Sequence, residues 1–361
     1  MKLGILGPPQ SGKSSLFTAL TRGQAESGSA RGEKIHLGSV KVPDTRLEHL
    51  RDLYEPKKFT PAKVDYVDAP PLETTGRAER GALAALTALR DVDAFVLVIR
   101  AFQDPSVPHF LERVDPARDA GWLASELILE DLAVVERRLE RIDKALKVGK
   151  KPEDPNEYEA LRAVREALES ERPARSATLN PARARSLRGF QLLTMRPWIV
   201  VVNADDEGLR QGEAALTAPV AARFTEAAPP VIALSAKTEA ELVALSDEDA
   251  KEFMAVLGIE EPGLTRMIRL SYTTLGVISF FTVGPDEVRA WTVRDGALAP
   301  EAAGEIHSDL ERGFIRAEVI AYDDLVRAGT MAKAREMGLL RTEGRDYRVR
   351  DGDILNIRFS V

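Results

Sequence analysis

The stretch Gly7-Pro8-Pro9-Gln10-Ser11-Gly12-Lys13-Ser14 fits the pattern G-x-x-x-x-G-K-[ST]. It stands between an apolar run, Lys2 to Leu6, and a helix-like one, Ser14 to Leu20. A loop of this spacing between strand and helix wraps a phosphate chain with backbone N–H groups, and the helix behind it offers the positive end of its dipole. The expected nucleotide cradle is therefore Gly7, Pro9, Gln10, Ser11, Gly12, Lys13, Ser14 and Ser15. In it Lys13 spans the β- and γ-phosphates of a nucleoside triphosphate and Ser14 gives its hydroxyl oxygen to Mg²⁺. A second metal-facing group belongs at the end of a neighbouring strand. Val64-Asp65-Tyr66-Val67-Asp68 supplies Asp68 there, although an aspartate in that place also serves as a helix cap or turn residue.

The rest of the chain repeats this rhythm. Short β-type runs at Lys34 to Val42, Lys63 to Val67, Ala94 to Ile99, Trp198 to Val202 and Val231 to Leu234 alternate with helical stretches, the signature of a parallel α/β sheet. The gap between the runs at Ala94 and Trp198 far exceeds what one crossover helix needs, so an insertion is expected. Within it Ile128, Leu132, Val135, Leu139, Ile142 and Leu146 recur at spacings of four and three, the seam of a coiled coil. The chain turns at Gly149 to Pro152, and Tyr158, Leu161, Val164 and Leu168 begin a second stripe, which predicts an antiparallel helical hairpin. Beyond Gly263 the pattern changes to hairpins and short helices, with turns at Gly284-Pro285-Asp286 and Asp351-Gly352-Asp353, as in a separate α+β module.

Two later strands end in polar loops. Asn203-Ala204-Asp205-Asp206 and Ser235-Ala236-Lys237 have the order and placement of base-recognition loops in a GTPase-type domain. There a carboxylate accepts from guanine N–H groups, a backbone N–H near Ala236 meets the base oxygen, and lysine stems stack on the ring. The expected base-reading residues are Asn203, Asp206, Ser235, Ala236 and Lys237. Ala204 stands where the motif N-K-x-D has its stacking lysine, so one clamping element is missing.

Composition narrows the function. A chain of 361 residues suggests two or three domains, with no apolar run near the ~20 residues that cross a bilayer. The Met1 to Leu6 run reads as a buried strand and not as an export signal, so a cytoplasmic, non-membrane protein is expected. Without cysteine there is no thiolate chemistry, and His36, His49, His109 and His307 lack metal spacing. The net charge of -7 confines any polyanion contact to local patches. Two exist: Arg137 to Lys151, with Arg137, Arg138, Arg141, Lys144 and Lys147 at helical spacings, and Arg172 to Arg188, five arginines without an acid.

Taken in order, these features resemble the YchF family, the Obg-like ATPases, over nearly the whole chain. The C-terminal stretch Glu287 to Val293, then Ala299-Pro300, Ile306-His307-Ser308-Asp309 and Gly313 to Ile320, resembles that family's TGS domain, a small ubiquitin-like β-grasp fold. The resemblance implies a P-loop nucleotide-binding domain over 1–115 and 190–262, an inserted helical hairpin over 116–189 and a TGS-like domain over 263–361. It implies a protein that binds ATP or GTP with Mg²⁺, hydrolyses it slowly, and meets the ribosome or its RNA through the basic stretches; a monomer is expected. No catalytic residue is assigned.

The chain departs from the family in places. YchF members usually carry N-x-x-E where Asp206 closes the first base loop, which leaves the preference between ATP and GTP open. The family's D-x-A-G reads Asp68-Ala69-Pro70-Pro71, and Pro71 has no N–H for a γ-phosphate. Leu72 occupies the place of the water-orienting glutamine of Ras-type enzymes. The switch threonine falls near Gly32, and no threonine lies between Thr21 and Thr45. Binding is expected to survive these losses while hydrolysis weakens; the alternative is a nucleotide-binding adapter that does not hydrolyse.

Overall fold

The computed structural model describes residues 1–24, 26–30, 33–70, 72 and 89–360, so Gly32 and Pro71 lie outside the described residues. The chain divides into two compact units, one of Met1–Val40 with Asp65–Met267 and one of Lys41–Val64 with Ile268–Val361. Residues 41–64, expected in the nucleotide-binding domain, thus belong with the C-terminal unit.

In the first unit the described strands are β1 (Lys2–Leu6), β2 (Glu26–Ala30), β3 (Glu33–Lys41), β5 (Lys63–Asp68), β6 (Ala94–Arg100), β7 (Trp198–Asn203) and β8 (Val231–Leu234), with β4 (Lys58–Thr60) in the other unit. They form one sheet in the order β2-β3-β5-β1-β6-β7-β8. The pairs β1 with β5 and β6, β6 with β7, and β7 with β8 are parallel, while β2 and β3 are antiparallel. Every residue of β6 and β7 is buried, which is why these strands read as continuous apolar runs. The register aligns the carboxyl ends. Ile5 lies beside Asp68, Leu6 beside Leu97, and Arg100 beside Asn203, which in turn neighbours Leu234. Loops leaving β1, β5, β6, β7 and β8 therefore converge at one end of the sheet, where open α/β folds bind ligands.

The sheet's β8 edge is closed by side chains. The Ala233 N–H donates to Glu213, the Ala233 carbonyl accepts from Arg266, and the two side chains pair at 2.6 Å. Together they occupy the outward-facing N–H and carbonyl of Ala233, which an exposed strand would otherwise offer another chain.

The insertion is the expected hairpin. Helix α1 is Lys13–Thr21, α2 (Thr45–Tyr54) lies in the second unit, and the hairpin consists of α3 (Pro116–Lys147) and α4 (Pro155–Glu169). Each arm starts on an aspartate cap followed by proline, with Asp115 accepting from Arg118 N and Asp154 from Asn156 N. Ile128, Val135, Leu139 and Ile142 bury against Leu161, Val164 and Leu168, with Leu132, Leu146 and Tyr158 packed alongside. The first turns of α3 behave differently: Ala120, Leu123, Ala124 and Leu127 lie in the core of the sheet domain. A single helix of about 48 Å, at ~1.5 Å per residue, thus serves two cores. The junction is held by Asp131, whose carboxylate accepts from Leu193 N at 2.8 Å, Thr194 N at 2.7 Å and Thr194 Oγ1 at 2.6 Å. Burial pushes this carboxyl above the usual range, and the bonds from Thr194 and Leu193 oppose that shift.

In the second unit the strand order is β12-β11-β13-β9-β10-β4, with β9 (Val277–Thr282), β10 (Glu287–Arg294), β11 (Phe314–Ala321), β12 (Arg341–Glu343) and β13 (Asp353–Phe359). Antiparallel β9 and β10, β9 parallel to β13, and β11 between β13 and β12 make a β-grasp sheet. To it the chain adds β4, parallel to β10, and α2. Arg46 of α2 pairs with Asp44 at 2.9 Å and with Asp351 at 2.7 Å, while Asp351 also accepts from Ser279 N. Arg46 thereby bonds its segment to the turn before β13.

Replacing Asp131 with Ala strands two buried N–H groups and a hydroxyl, and should cost about 2–4 kcal/mol. Denaturant unfolding of the full chain measures it, and a loss below about 0.5 kcal/mol would show that the junction is held by apolar contacts alone.

Candidate functional site

The glycine loop is shaped by steric limits as much as by hydrogen bonds. Gly12 has φ 86°, and a Cβ on it would lie 2.0 Å from Asn203 Nδ2. A Cβ on Gly7 would lie 2.6 Å from Ser11 Oγ and 2.7 Å from the Val98 carbonyl. Between them Gln10 takes φ 60°, a left-handed conformation that a non-glycine residue holds only where its surroundings enforce it. Ser11 Oγ is buried and has no hydrogen-bond partner among the described residues, and the first N–H groups of α1 have no intrahelical acceptor.

Behind the loop lies the charged centre. Lys13 is 6% exposed; its ammonium pairs with Asp68 and donates to the Ala69 carbonyl at 2.5 Å. Ser14 Oγ donates to the other Asp68 oxygen at 3.2 Å. Lys13, Ser14 and Asp68 are thus brought together as the spacing requires. A hydroxyl and a carboxylate beside a cationic ammonium and free helix N–H groups suit a divalent cation on a phosphate chain. Leu72, buried in the core cluster, donates its N–H to Gly7 O at 3.4 Å and offers no polar side chain.

A cleft of about 930 Å³ runs from Gly12, Ser14, Ser15 and Thr18 to Asn203, Ala204, Asp205, Asp206, Ser235, Ala236 and Lys237. Its two base loops are joined by Asn203, which donates Nδ2–H to Ser11 O at 3.0 Å and accepts from Ala236 N at 2.9 Å. The Ala236 N–H expected to meet a base oxygen is thus engaged by Asn203. Ser235 caps helix Ala236–Ala244 by accepting from Thr238 N. Asp206 starts the short helix Asp206–Arg210, and its Oδ1 accepts from Thr238 Oγ1 at 2.5 Å. Lys237 is exposed at the cleft.

Several residues of the site carry no sequence signal. Phe102, Gln103 and Asp104 line the cleft from the loop after β6, and Asp205 accepts from both Gln103 N and Gly208 N. Thr238 was invisible because its partner lies 32 residues away. The His109 side chain is buried: its Nδ1 accepts from Leu111 N, and its Nε2 lies 2.8 Å from Asp119. His307 caps the helix Ser308–Arg312 by accepting from Asp309 N.

The basic stretches divide. Arg138 bonds Glu157 at 2.5 Å, Arg172 bonds Glu226 at 2.7 Å, and Arg175 lies over Trp198 and donates to the carbonyls of Thr194, Arg196 and Ala227. Burial lowers the Arg175 pKa to about 10. Arg138 thus ties the two arms of the hairpin to each other, Arg172 and Arg175 hold the insertion to the sheet domain, and all three are engaged within the protein. Arg137, Arg141, Lys144, Lys147, Lys150, Lys151, Arg185 and Arg188 are exposed.

Because Asp68 holds Lys13, Asp68→Asn should release the ammonium and raise the affinity for a magnesium-free nucleoside diphosphate, while abolishing the gain that Mg²⁺ brings. Titration calorimetry with and without chelator reads both effects. Unchanged affinity in both conditions would place the metal elsewhere.

The family model described as "Protein of unknown function (DUF933)", YchF-GTPase_C, matches residues 277–360. The "Ribosome-binding ATPase YchF" of Bacillus subtilis (strain 168) is 41% identical over 366 residues, covering 99% of this chain and 99% of that one. The protein of the same name from Haemophilus influenzae is 37% identical, covering 100% and 99%. The solved structure of the Schizosaccharomyces pombe YchF GTPase matches with a TM-score of 0.81 at 29% identity, over 99% of this chain and 97% of that one. A GTP binding protein of Pyrococcus horikoshii OT3, at 16% identity and a TM-score of 0.59, shares the fold. With the P-loop, both base loops, the hairpin and the β-grasp unit in the expected order, and with identity of this level along the full length, the chain belongs to the YchF family.

Proposed function

We propose that this chain binds ATP or GTP with Mg²⁺ in the cleft at the sheet's carboxyl end, hydrolyses it slowly, and acts in translation by associating with the ribosome. The observation that carries the reading is the meeting of Lys13, Ser14 and Asp68 beside a cleft that Ser14 lines and whose far end is built by the Asn203 and Ser235 loops. The names of the relatives, ribosome-binding ATPase and YchF GTPase, point the same way.

In this reading Lys13 leaves Asp68 for the β- and γ-phosphates, and the N–H groups at the start of α1 face the phosphate oxygens. Mg²⁺, held by Ser14 and Asp68, would neutralise charge between the β- and γ-phosphates. Asp206, Ala236 and Lys237 form the base end. Leu72 orients no water, which argues for slow turnover and also favours the second reading, an adapter that binds without hydrolysing. Titration with fluorescent ATP and GTP analogues followed by single-turnover hydrolysis tests both. Turnover should fall far below the ~10 s⁻¹ typical of enzymes. A rate at that level would require a catalytic group not identified in this cleft, and no turnover at all would leave the adapter.

Ribosomal RNA contact is assigned to the exposed face of the hairpin, with Arg137, Arg141, Lys144 and Lys147 on α3 and Lys150 and Lys151 at its tip. Arg185 and Arg188 add to it, and the protein acts as a cytoplasmic monomer. Reversing Arg137, Arg141 and Lys144 to glutamate should weaken co-sedimentation with ribosomes and flatten its salt dependence by up to roughly one log–log unit per residue. Sedimentation that ignores both salt and substitutions would move the contact to the β-grasp unit.

A further inference from the structure

Arg100, the last residue of β6, is 4% exposed, yet its guanidinium spends its hydrogen bonds on backbone. Nε donates to Phe102 O at 3.1 Å, one terminal nitrogen to Val107 O at 2.9 Å and the other to Asp104 O at 3.3 Å. The guanidinium also lies 4.3 Å from the centre of the Phe102 ring. Burial lowers the Arg100 pKa, with the Asp104 charge opposing the shift. A buried cation bonded to neutral carbonyls is costly to keep, and all three carbonyls belong to one loop, residues 101–108.

The other side of that loop is tied as well. Ala101 N and Phe102 N both donate to the Asn203 carbonyl, at 2.8 and 3.2 Å. Gln103 N donates to Asp205 Oδ2 at 3.0 Å, while Asp205 Oδ1 accepts from Gly208 N at 2.8 Å. Inside the loop Asp104 closes a turn by accepting from Ser106 N and Oγ. Phe102, Gln103 and Asp104 line the same cleft as Ala204, Asp206, Ala236 and Lys237. The phosphate end is made by other residues, Gly12, Ser14 and Ser15, to which Arg100 donates no hydrogen bond.

We propose that Arg100 and Asp205 are positioning residues that fix loop 101–108 as the wall against which the nucleobase stacks on Phe102. Affinity contributed by the base depends on them, and affinity for the phosphate chain does not. The inference rests on the nucleotide reading of the cleft. Its physical basis is preorganisation: an aromatic side chain on an untied loop must be ordered when the base arrives, and the three carbonyl bonds meet that entropy cost beforehand.

The experiment is calorimetric titration of the full-length chain, in Mg²⁺, with ADP, GDP and inorganic tripolyphosphate. Arg100→Met keeps the stem beneath Phe102 and removes the three donors. Asp205→Asn keeps one oxygen for the helix cap at Gly208 and loses the second acceptor. Arg100→Met should weaken the better-bound nucleoside diphosphate by roughly tenfold, the order of one aromatic stack, and leave tripolyphosphate binding unchanged. Asp205→Asn should show the same pattern with a smaller loss, and it decides alone if Arg100→Met does not fold. Equal losses for nucleotide and tripolyphosphate in a folded variant, or no loss for either, overturn the proposal. A wild-type chain that binds neither kind of ligand sinks the nucleotide reading itself, whereas one that binds tripolyphosphate as tightly as nucleotide sinks only the role of the wall.

Discussion

The site depends on one neutral amide. Asn203 donates to the Ser11 carbonyl and accepts from the Ala236 N–H, so the glycine loop after β1 and the loop after β8 are bonded through the end of β7. No other side chain of this size offers a donor and an acceptor on one planar group. Aspartate would turn a carboxylate oxygen toward the Ser11 carbonyl, and leucine would leave both backbone groups buried and unpaired. The lack of a Cβ on Gly12 lets the amide approach. The two loops are thus tied to each other and to the end of the sheet through Asn203.

The long helix α3 has a comparable role on a larger scale. Its first turns are built into the sheet core and its last turns into the hairpin core, with Asp131 fastening the place where one passes into the other. Arg172 and Arg175 fasten the returning chain beside it. The hairpin is therefore rooted in the sheet core by its first arm and held to the sheet domain just after its second, with its exposed cations beyond that root. Charge runs therefore have two uses in this insertion: the inner arginines are fasteners and the outer ones form the surface.

What could be read from the sequence follows from what each element buries. The strands Lys2–Leu6, Ala94–Arg100 and Trp198–Asn203 are buried on both faces and announce themselves as apolar runs, and the hairpin seam repeats at helical spacing. β2 is Glu-Ser-Gly-Ser-Ala and β4 is Lys-Phe-Thr; neither has a period to detect, and so the attachment of residues 41–64 to the β-grasp sheet was hidden. The phosphate end of the site is local in sequence and was legible. Arg100, Phe102, Asp205 and Thr238 act through partners fixed only by the fold, as Gln103 and Asp205 are 102 residues apart. Likewise a count of arginines does not separate Arg138, bonded across the hairpin, from Arg137 beside it.

The pairing of β4 with β10 has a consequence for biosynthesis. Thr60 and Glu287, bonded side chain to side chain at 2.6 Å, are 227 residues apart. At ~5–20 residues per second a ribosome needs about 10–45 s to deliver the second after the first. During that time the nucleotide-binding sheet can close around β1 and β5 while α2 and β4 wait outside it, their apolar sides covered by nothing native. The β4 edge of the second sheet is thus completed only when β10 arrives, and a strand synthesised early in the chain pairs with one delivered more than two hundred residues later.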